Sequence, residues 1–204
     1  MKRSGILVFY LLGIFLMGGC ASTSITSFRD PSFAAKSFHR ILAVVPLADL
    51  ESRTEAEKAF VERLGTYSVE GVPSIRVFMP TRTYTNEELF KLLSENKIDG
   101  VLLVTLKDVY TKQAYVPSLS STSGQATLTG NIVNYSASTQ QFGGYYISKP
   151  RVRCEMRLYD VLTGNTAWVA TSLTKGNAFA SFRTMIDSLA DTATRKLGED
   201  GLLK

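Results

Sequence analysis

Few side chains in this sequence are equipped for bond-making chemistry. His39 is the single histidine, and Cys20 and Cys154 are the two cysteines. A serine hydrolase holds a base against its nucleophile, so one imidazole leaves little room for a Ser-His-Asp triad. A serine–lysine pair is the remaining option, and no spacing singles one out. His39 reads as a surface or strand-entry residue. Zinc takes four Cys or His ligands, or three with an open position, which this inventory cannot supply. No loop alternates Asp and Asn around a glycine as calcium requires, and Asp160 and Asn165 read as turn formers. Neither GxGxxG nor GxxxxGK[ST] occurs. The first predicted strand runs instead into Pro46-Leu47-Ala48-Asp49, where Asp49 reads as a helix cap because a carboxylate repels phosphate. The expectation is a chain with no catalytic residue, no metal, no cofactor and no evident small-molecule substrate.

Cys20 has a sharper reading. Lys2 and Arg3 are followed by an apolar run from Ile6 to Met17 and then by Gly18, Gly19 and Cys20. A charged start, an apolar stretch and small residues are the pattern of an export leader. The apolar run of about a dozen residues falls short of the roughly 20 that span about 30 Å of hydrocarbon, so cleavage is expected. Leu16-Met17-Gly18-Gly19-Cys20 resembles the lipobox of bacterial lipoproteins, although Met17 stands where lipoboxes favour Leu and Leu16 lies one step earlier. The resemblance implies that the Cys20 thiol takes a diacylglyceryl group, that residues 1–19 are removed as a signal peptide, and that Cys20 becomes the acylated first residue. Acyl chains such as palmitate contribute about 0.8 kcal/mol per buried methylene, and two or more anchor a protein stably. In such lipoproteins Asp after the cysteine marks inner-membrane retention. Ala21 stands there instead, which points to the periplasmic face of the outer membrane.

Removal of the leader leaves 185 of the 204 residues, enough for one domain with a full core. The mature chain keeps 21 basic and 18 acidic residues, a balance of +3. That is too mild to argue for nucleic acid, and the basic residues lack the aromatic interleaving of a single-strand groove. With Cys20 acylated, Cys154 has no disulfide partner within the chain. It alternates with apolar residues in Val152-Arg153-Cys154-Glu155-Met156-Arg157-Leu158 and reads as a small core residue.

The elements that would carry these residues follow from periodicity. Residues 20–37, rich in Ser, Thr and Ala, are expected to form a flexible lipidated tether, with Phe28, Phe33 and Phe38 free to dock on the domain or a neighbour. The folded domain is expected over 38–204. Ile41 to Val45 reads as a strand buried on both faces. Ala56, Ala59, Phe60, Leu64 and Tyr67 recur at helical spacing, and the charges among them read as a solvated face. Ser74 to Met79, bounded by Pro73 and Pro80, reads as a second strand. A second helix starts at Thr85 with Glu88 as its capping-box partner and Leu89, Phe90 and Leu93 as its buried stripe. Asp99-Gly100 turns into the strand Val101 to Val104, which can run past Tyr110. Val152 to Leu158 and Ala167 to Leu173 predict an antiparallel hairpin across Thr163-Gly164-Asn165. A last helix carries Phe182, Met185, Ile186, Leu189, Ala193 and Leu197 on one face, with Gly198 as its stop. The βαβαβ order favours parallel pairing, so the expected fold is α/β (α+β): a mixed sheet in the order β-α-β-α-β, a hairpin or loop, then β-β-α, with helices packed on it.

Residues 113–148 contain no Asp, Glu, Lys or Arg, in a chain that is 20% charged. Ser118 to Gly124 reads as a flexible turn region, while Ala126 to Thr129 and Ile132 to Ser136 alternate loosely, as half-buried strands do. The segment reads either as a long surface hairpin or mobile loop, or as a hairpin for oligomerisation or membrane insertion, since barrel strands need about 9 to 11 residues without lipid-facing charge.

Tyr159-Asp160-Val161-Leu162-Thr163-Gly164-Asn165-Thr166-Ala167-Trp168, with Asp99-Gly100-Val101-Leu102-Leu103-Val104, resembles a group of uncharacterised bacterial envelope lipoproteins. These are similar in layout to the curli-secretion, Pel-export and penicillin-binding-protein-activator lipoproteins. The resemblance implies a mixed sheet with helices packed on it, no enzymatic site, and function through protein contacts, with Trp168 as a core or sheet-face anchor. Three functions are carried forward. The first is a membrane-anchored, non-catalytic assembly or scaffolding component of the envelope, partnered by itself or other envelope proteins. The second is a subunit of an export channel whose residues 118–148 contribute to a pore or ring, and the third is an envelope enzyme.

Overall fold

Local sequence sets the elements, and the long-range ladders order them. The computed structural model describes residues 19–129 and 132–203, with the backbone alone for 122–129 and 132–137. The signal-peptide assignment therefore lies, up to residue 18, outside the described residues. The chain runs β1 (Ala21–Arg29), a 3-10 turn (Pro31–Phe33), β2 (Arg40–Val44), α1 (Leu50–Gly65), β3 (Glu70–Pro73), the single turn α2 (Ser74–Val77), α3 (Asn86–Glu95), β4 (Gly100–Val116), β5 (Leu119–Thr129), β6 (Ile132–Phe142), β7 (Tyr145–Asp160), β8 (Thr166–Gly176) and α4 (Phe182–Glu199). Six strands form a mixed sheet in the order β1-β8-β7-β4-β2-β3, and β5 and β6 form a two-stranded sheet of their own. The pairing of β2 with β3 and with β4 is parallel, as the βαβαβ order predicts, although the second strand is Glu70–Pro73 and not the expected Ser74 to Met79, and the remaining ladders are antiparallel.

The main core lies on the face covered by α1 and α4. Phe60 and Leu64 from α1 meet Leu102, Met156, Leu158 and Trp168 from the sheet and Leu189 and Leu197 from α4, all fully or nearly fully buried. Each such side chain contributes roughly 1.5–3 kcal/mol on burial. Leu42, Val72, Val77 and Ile98 form a smaller core on the opposite face, flanked by Leu92 and Leu93 of α3. The predicted capping box is present: the Thr85 side chain accepts from the Glu88 N–H at 3.3 Å, and the Thr85 N–H donates to Oε2 of Glu88 at 2.8 Å. Asp49 caps α1, its Oδ2 accepting from the Ser52 N–H at 2.7 Å.

Six expectations are corrected, the first being Ser118 to Gly124, expected as a flexible turn region, of which Leu119 to Gly124 is the start of β5. Residues 21–29 are not a free tether but the edge strand β1, zipped to β8 from Ala21 opposite Gly176 to Arg29 opposite Trp168. In the rest of the expected tether and at the start of the domain, Phe33 and Phe38 are buried, whereas Phe28 of β1 is exposed. Ser74 to Val77 is a helical turn rather than a strand, because Glu57 Oε2 accepts from the Ile75 N–H at 3.2 Å and fixes the turn's start. Glu57 is itself fully buried, so the α1 charges are not all solvated. It accepts from Arg53 Nε at 3.0 Å and from the Ser74 hydroxyl. Phe90 is exposed and no α3 residue is fully buried; Leu92 and Leu93 do the packing. Finally α4 runs through Gly198, which lies against the Tyr67 ring, and ends at Glu199, with Asp200 as its cap and Gly201 beyond it at φ +75°.

Candidate functional site

Cys20 is held in place by the strand that follows it. The Asn177 N–H donates to the Cys20 carbonyl at 2.9 Å, Ala21 pairs with Gly176, and the Thr23 hydroxyl lies 2.9 Å from those of Thr174 and Ser188. Cys20 is exposed. A lipid on its sulfur would leave the domain from a fixed point at the end of the sheet.

A long ribbon leaves the sheet at that same end. Ala21 pairs with Gly176, Lys175 with Arg151, and Arg151 with Tyr110. Two residues further along, Lys112 stands opposite Lys149, level with Cys20. Pro150 has no N–H to offer, which ends the pairing of β7 with β8 at Arg151. A register shift between Leu106 and Asp108 marks a bulge where β4 starts outward, and bulges of this kind bend the strand and increase its twist. Beyond this level β4 and β7 pair only with each other, as far as Val116 opposite Tyr145. The ladder breaks at Pro117-Ser118 and Gly143-Gly144, where both glycines take positive φ and a Cβ on Gly143 would sit 2.0 Å from the Pro117 carbonyl oxygen. It resumes as β5 and β6, paired from Leu119 opposite Phe142 to Thr129 opposite Ile132.

The residues on this ribbon change character at the lysine pair. Past Lys112 and Lys149 there is no charge. Tyr115 and Tyr146 face each other with ring centroids 5.1 Å apart, and Leu119, Phe142, Tyr145 and Tyr146 are all more than half exposed. In the β5–β6 register Gly124 stands opposite Ala137, Ala126 opposite Tyr135 and Leu128 opposite Val133. The intervening positions pair Ser123 with Ser138, Gln125 with Ser136 and Thr127 with Asn134. Because successive strand positions alternate between faces, the first set and the second belong to opposite faces of the hairpin.

Of the other residues singled out in sequence, Cys154 lies in the core at the wall of an apolar groove, and His39, Asp160 and Asn165 lie elsewhere. Cys154 is buried, and burial pushes its thiol up to about 11, which makes it a poor nucleophile. The His39 side chain is three-quarters exposed, with Nδ1 3.6 Å from Asp99 Oδ2. Asp160 is buried at the β7–β8 turn, where its Oδ2 accepts from the Thr163 hydroxyl at 2.7 Å and its Oδ1 pairs with Lys36. Burial pushes the Asp160 carboxyl up, but Lys36 and Thr163 together outweigh it and hold it below the ordinary carboxylate range. Asn165 donates its backbone N–H to the Thr163 hydroxyl at 3.3 Å, a turn contact. Among the described residues no three His, Cys, Asp or Glu side chains gather as a metal cluster, and no helix is long and apolar enough to cross a membrane.

What sequence reasoning missed is that Cys20 and the ribbon share one end of the sheet. An apolar groove of about 330 Å³ opens there as well, with Val109, Val152, Thr174, Phe182 and Met185 on its walls.

No protein-family model matches the chain, and no curated protein matches it. Solved structures with some likeness include the PelC dodecamer from Paraburkholderia phytofirmans, with 12% identity, TM-score 0.47, and coverage of 83% of this chain and 93% of that one. Another is the lipoprotein GNA1162 from Neisseria meningitidis, with 14% identity, TM-score 0.42, and coverage of 79% and 99%. A third is a PDZ domain protein from Parabacteroides distasonis, with 10% identity, TM-score 0.34, and coverage of 97% and 40%.

Proposed function

We propose that this chain is a lipid-anchored periplasmic protein of the outer membrane that acts as a non-catalytic assembly component of the cell envelope and associates with copies of itself through its ribbon. The anchor is Cys20. The observation that carries self-association is the two-stranded ribbon of β4–β7 and β5–β6, which extends beyond the six-stranded sheet and, among the described residues, is laddered only strand to strand within itself. An isolated two-stranded ribbon is marginal in water, and rows of unpaired N–H and C=O groups are a template for another chain. Edge-to-edge pairing between copies satisfies both demands.

The non-catalytic part of the reading rests on what the candidate nucleophile and base do. Cys154 is buried with a raised pKa, and His39 lies on the surface beside Asp99. Cys154 lines the groove mainly among apolar side chains, and His39 is not one of the groove's residues.

Light scattering coupled to size-exclusion chromatography on residues 21–204 tests the assembly. Oligomers that revert to monomers when residues 118–143 are replaced by a short turn support it. A strict monomer in both forms, in water and in detergent, overturns it.

A further inference from the structure

The geometry points to a second contact with the membrane: the helix-free face of the sheet, on β1, β8, β7 and the outer half of β4, docks on the anionic headgroups of the bilayer that holds Cys20. The inference rests on the lipid anchor proposed above and adds which face of the domain meets the surface.

The sheet has one covered face and one bare face. α1 and α4 lie over the core face, where Cys154, Met156 and Leu158 of β7 are buried. Strand positions alternate between faces, so Arg151, Arg153, Glu155 and Arg157 belong to the other one. On that side α3 packs beside Leu42, Val72 and Val101. Ser22, Ser24 and Thr26 of β1, Thr171 and Lys175 of β8 and Arg153 of β7 are left exposed.

Positive charge gathers on the bare face. In register across it, Lys175 stands opposite Arg151, Arg153 opposite Asp108, and Lys112 opposite Lys149. Lys107 and Arg157 join them, and both pair with Glu155, at 2.9 and 2.7 Å. Seven basic side chains against two acidic ones give these four strands +5 on one face, while the whole mature chain carries +3. The rest of the molecule is therefore net negative. Arg153 lies over the Tyr110 ring at 5.8 Å, and Arg151 donates to the carbonyls of Pro150 and Gly176 at 2.9 and 3.0 Å. Neither contact brings a counter-charge. Between the cations stand the hydroxyls of Ser22, Ser24, Thr26 and Thr171, O–H donors suited to phosphate oxygens.

The anchor decides which polyanion lies within reach. Cys20 stands at the rim of this face: Ala21 pairs with Gly176, whose carbonyl holds the Arg151 guanidinium, and Ser22 pairs with Lys175. Acyl chains at Cys20 bring these cations within a few side-chain lengths of the headgroups, where screening over about 10 Å in 0.1 M salt leaves attraction in force. A lipid chain and a basic patch are two signals that together fix a protein on an anionic membrane. At the far end of β1, Phe28 is 65% exposed and stands opposite Val169 on the same face. An aromatic ring there suits the headgroup boundary, so the face meets the surface along its length.

Two measurements test this. In the full-length lipidated protein on vesicles of phosphatidylcholine with a minority of phosphatidylglycerol, a fluorophore on Thr171→Cys should be quenched by headgroup-labelled lipid at least about threefold more than one on Lys58→Cys of α1. Equal quenching overturns the orientation. Residues 21–204 keep every described strand and helix, since β1 begins at Ala21, and should sediment with those vesicles at least about tenfold more strongly than with phosphatidylcholine alone. High salt should abolish the difference. Each cation near an anionic surface is worth about fivefold, so Arg153→Gln with Lys175→Gln should weaken binding by at least about tenfold. Lys58→Gln with Arg63→Gln removes the same charge from α1 and should change it by less than about twofold. Trp168 fluorescence checks that each variant is folded. Equal losses from the two pairs, equal binding to both vesicles, or capture by dextran sulfate without binding to phosphatidylglycerol overturn the proposal. Mass spectrometry of the native protein decides the anchor separately. Phosphatidylglycerol binding by residues 21–204 without an acyl group on native Cys20 supports the face and removes the anchor; an acylated Cys20 without that binding overturns the face alone.

Discussion

The indole Nε1–H of Trp168 donates to Oδ2 of Asp200 at 2.7 Å, and the Ser27 hydroxyl donates to the same oxygen at 2.6 Å. One carboxylate at the end of α4 thereby ties β8 to the edge strand β1, with Lys196 Nζ 2.9 Å from its other oxygen. Asp200→Ala leaves the buried indole without its acceptor, at a cost of roughly 1–3 kcal/mol. Urea unfolding followed by Trp168 fluorescence measures that loss. Amide exchange across Ala21–Arg29 should accelerate with it; unchanged exchange would mean that β1 is held by its ladder alone.

Acid should weaken the fold through Asp160 and Asp200. Burial raises both carboxyls, but Lys36 and Thr163 in one case, and Ser27, Trp168 and Lys196 in the other, lower them further and leave each below its ordinary value. A depressed folded pKa contributes stability that is complete above the unfolded carboxylate range and is lost as pH falls toward the folded value. Stability should therefore fall steadily below about pH 5. Asp160→Asn with Asp200→Asn should be less stable at neutral pH and lose less on acidification than the parent. Parallel pH profiles for the two proteins would sink this account.

Glu57 is buried with Arg53, the Ser74 hydroxyl and the Ile75 N–H gathered on its carboxylate. Glu57→Ala strands the Arg53 charge and the start of α2 together, and removal of one partner from a buried pair costs about 3 kcal/mol or more. Chemical denaturation measures it. A loss under 1 kcal/mol, on the order of an exposed pair, would show that water replaces the carboxylate.

Cys154 should be nearly silent toward alkylating reagents in the folded protein. With its thiol pushed up to about 11 by burial, about a thousandth is thiolate at pH 8. Mass spectrometry after iodoacetamide should find Cys154 unmodified in the native state and modified in urea. Rapid labelling of the native protein would contradict the buried placement.

Cys20→Ala in the full-length chain should abolish labelling by radioactive palmitate in a bacterial host. The folded domain should persist, because β1 begins at Ala21 and its ladder to β8 does not need the thiol. Undiminished labelling would remove Cys20 as the acyl acceptor.

Elements whose causes are local were legible in the sequence. The capping box at Thr85 and Glu88 depends on residues three apart, and the alternation of Cys154, Met156 and Leu158 records a strand with one buried face. Elements fixed from elsewhere in the chain were not legible. β1 reads as a tether because Ser and Thr fill most of its positions, and its strand geometry comes from pairing with Trp168 to Gly176, far along the sequence. Ser74 to Val77 reads as a strand by its β-branched residues and flanking prolines, and a carboxylate 17 residues earlier makes it a helical turn.

By itself the sequence determined the candidate lipid acceptor, the α/β order and the charge-free span from 113 to 148, because leader pattern, periodicity and charge are all read from neighbours along the chain. Tertiary structure alone decided that this span projects from the end of the sheet where Cys20 sits. That coincidence is set by three successive registers, β1 on β8, β8 on β7 and β7 on β4. Each depends on backbone pairing between strands far apart in sequence, which no local pattern records.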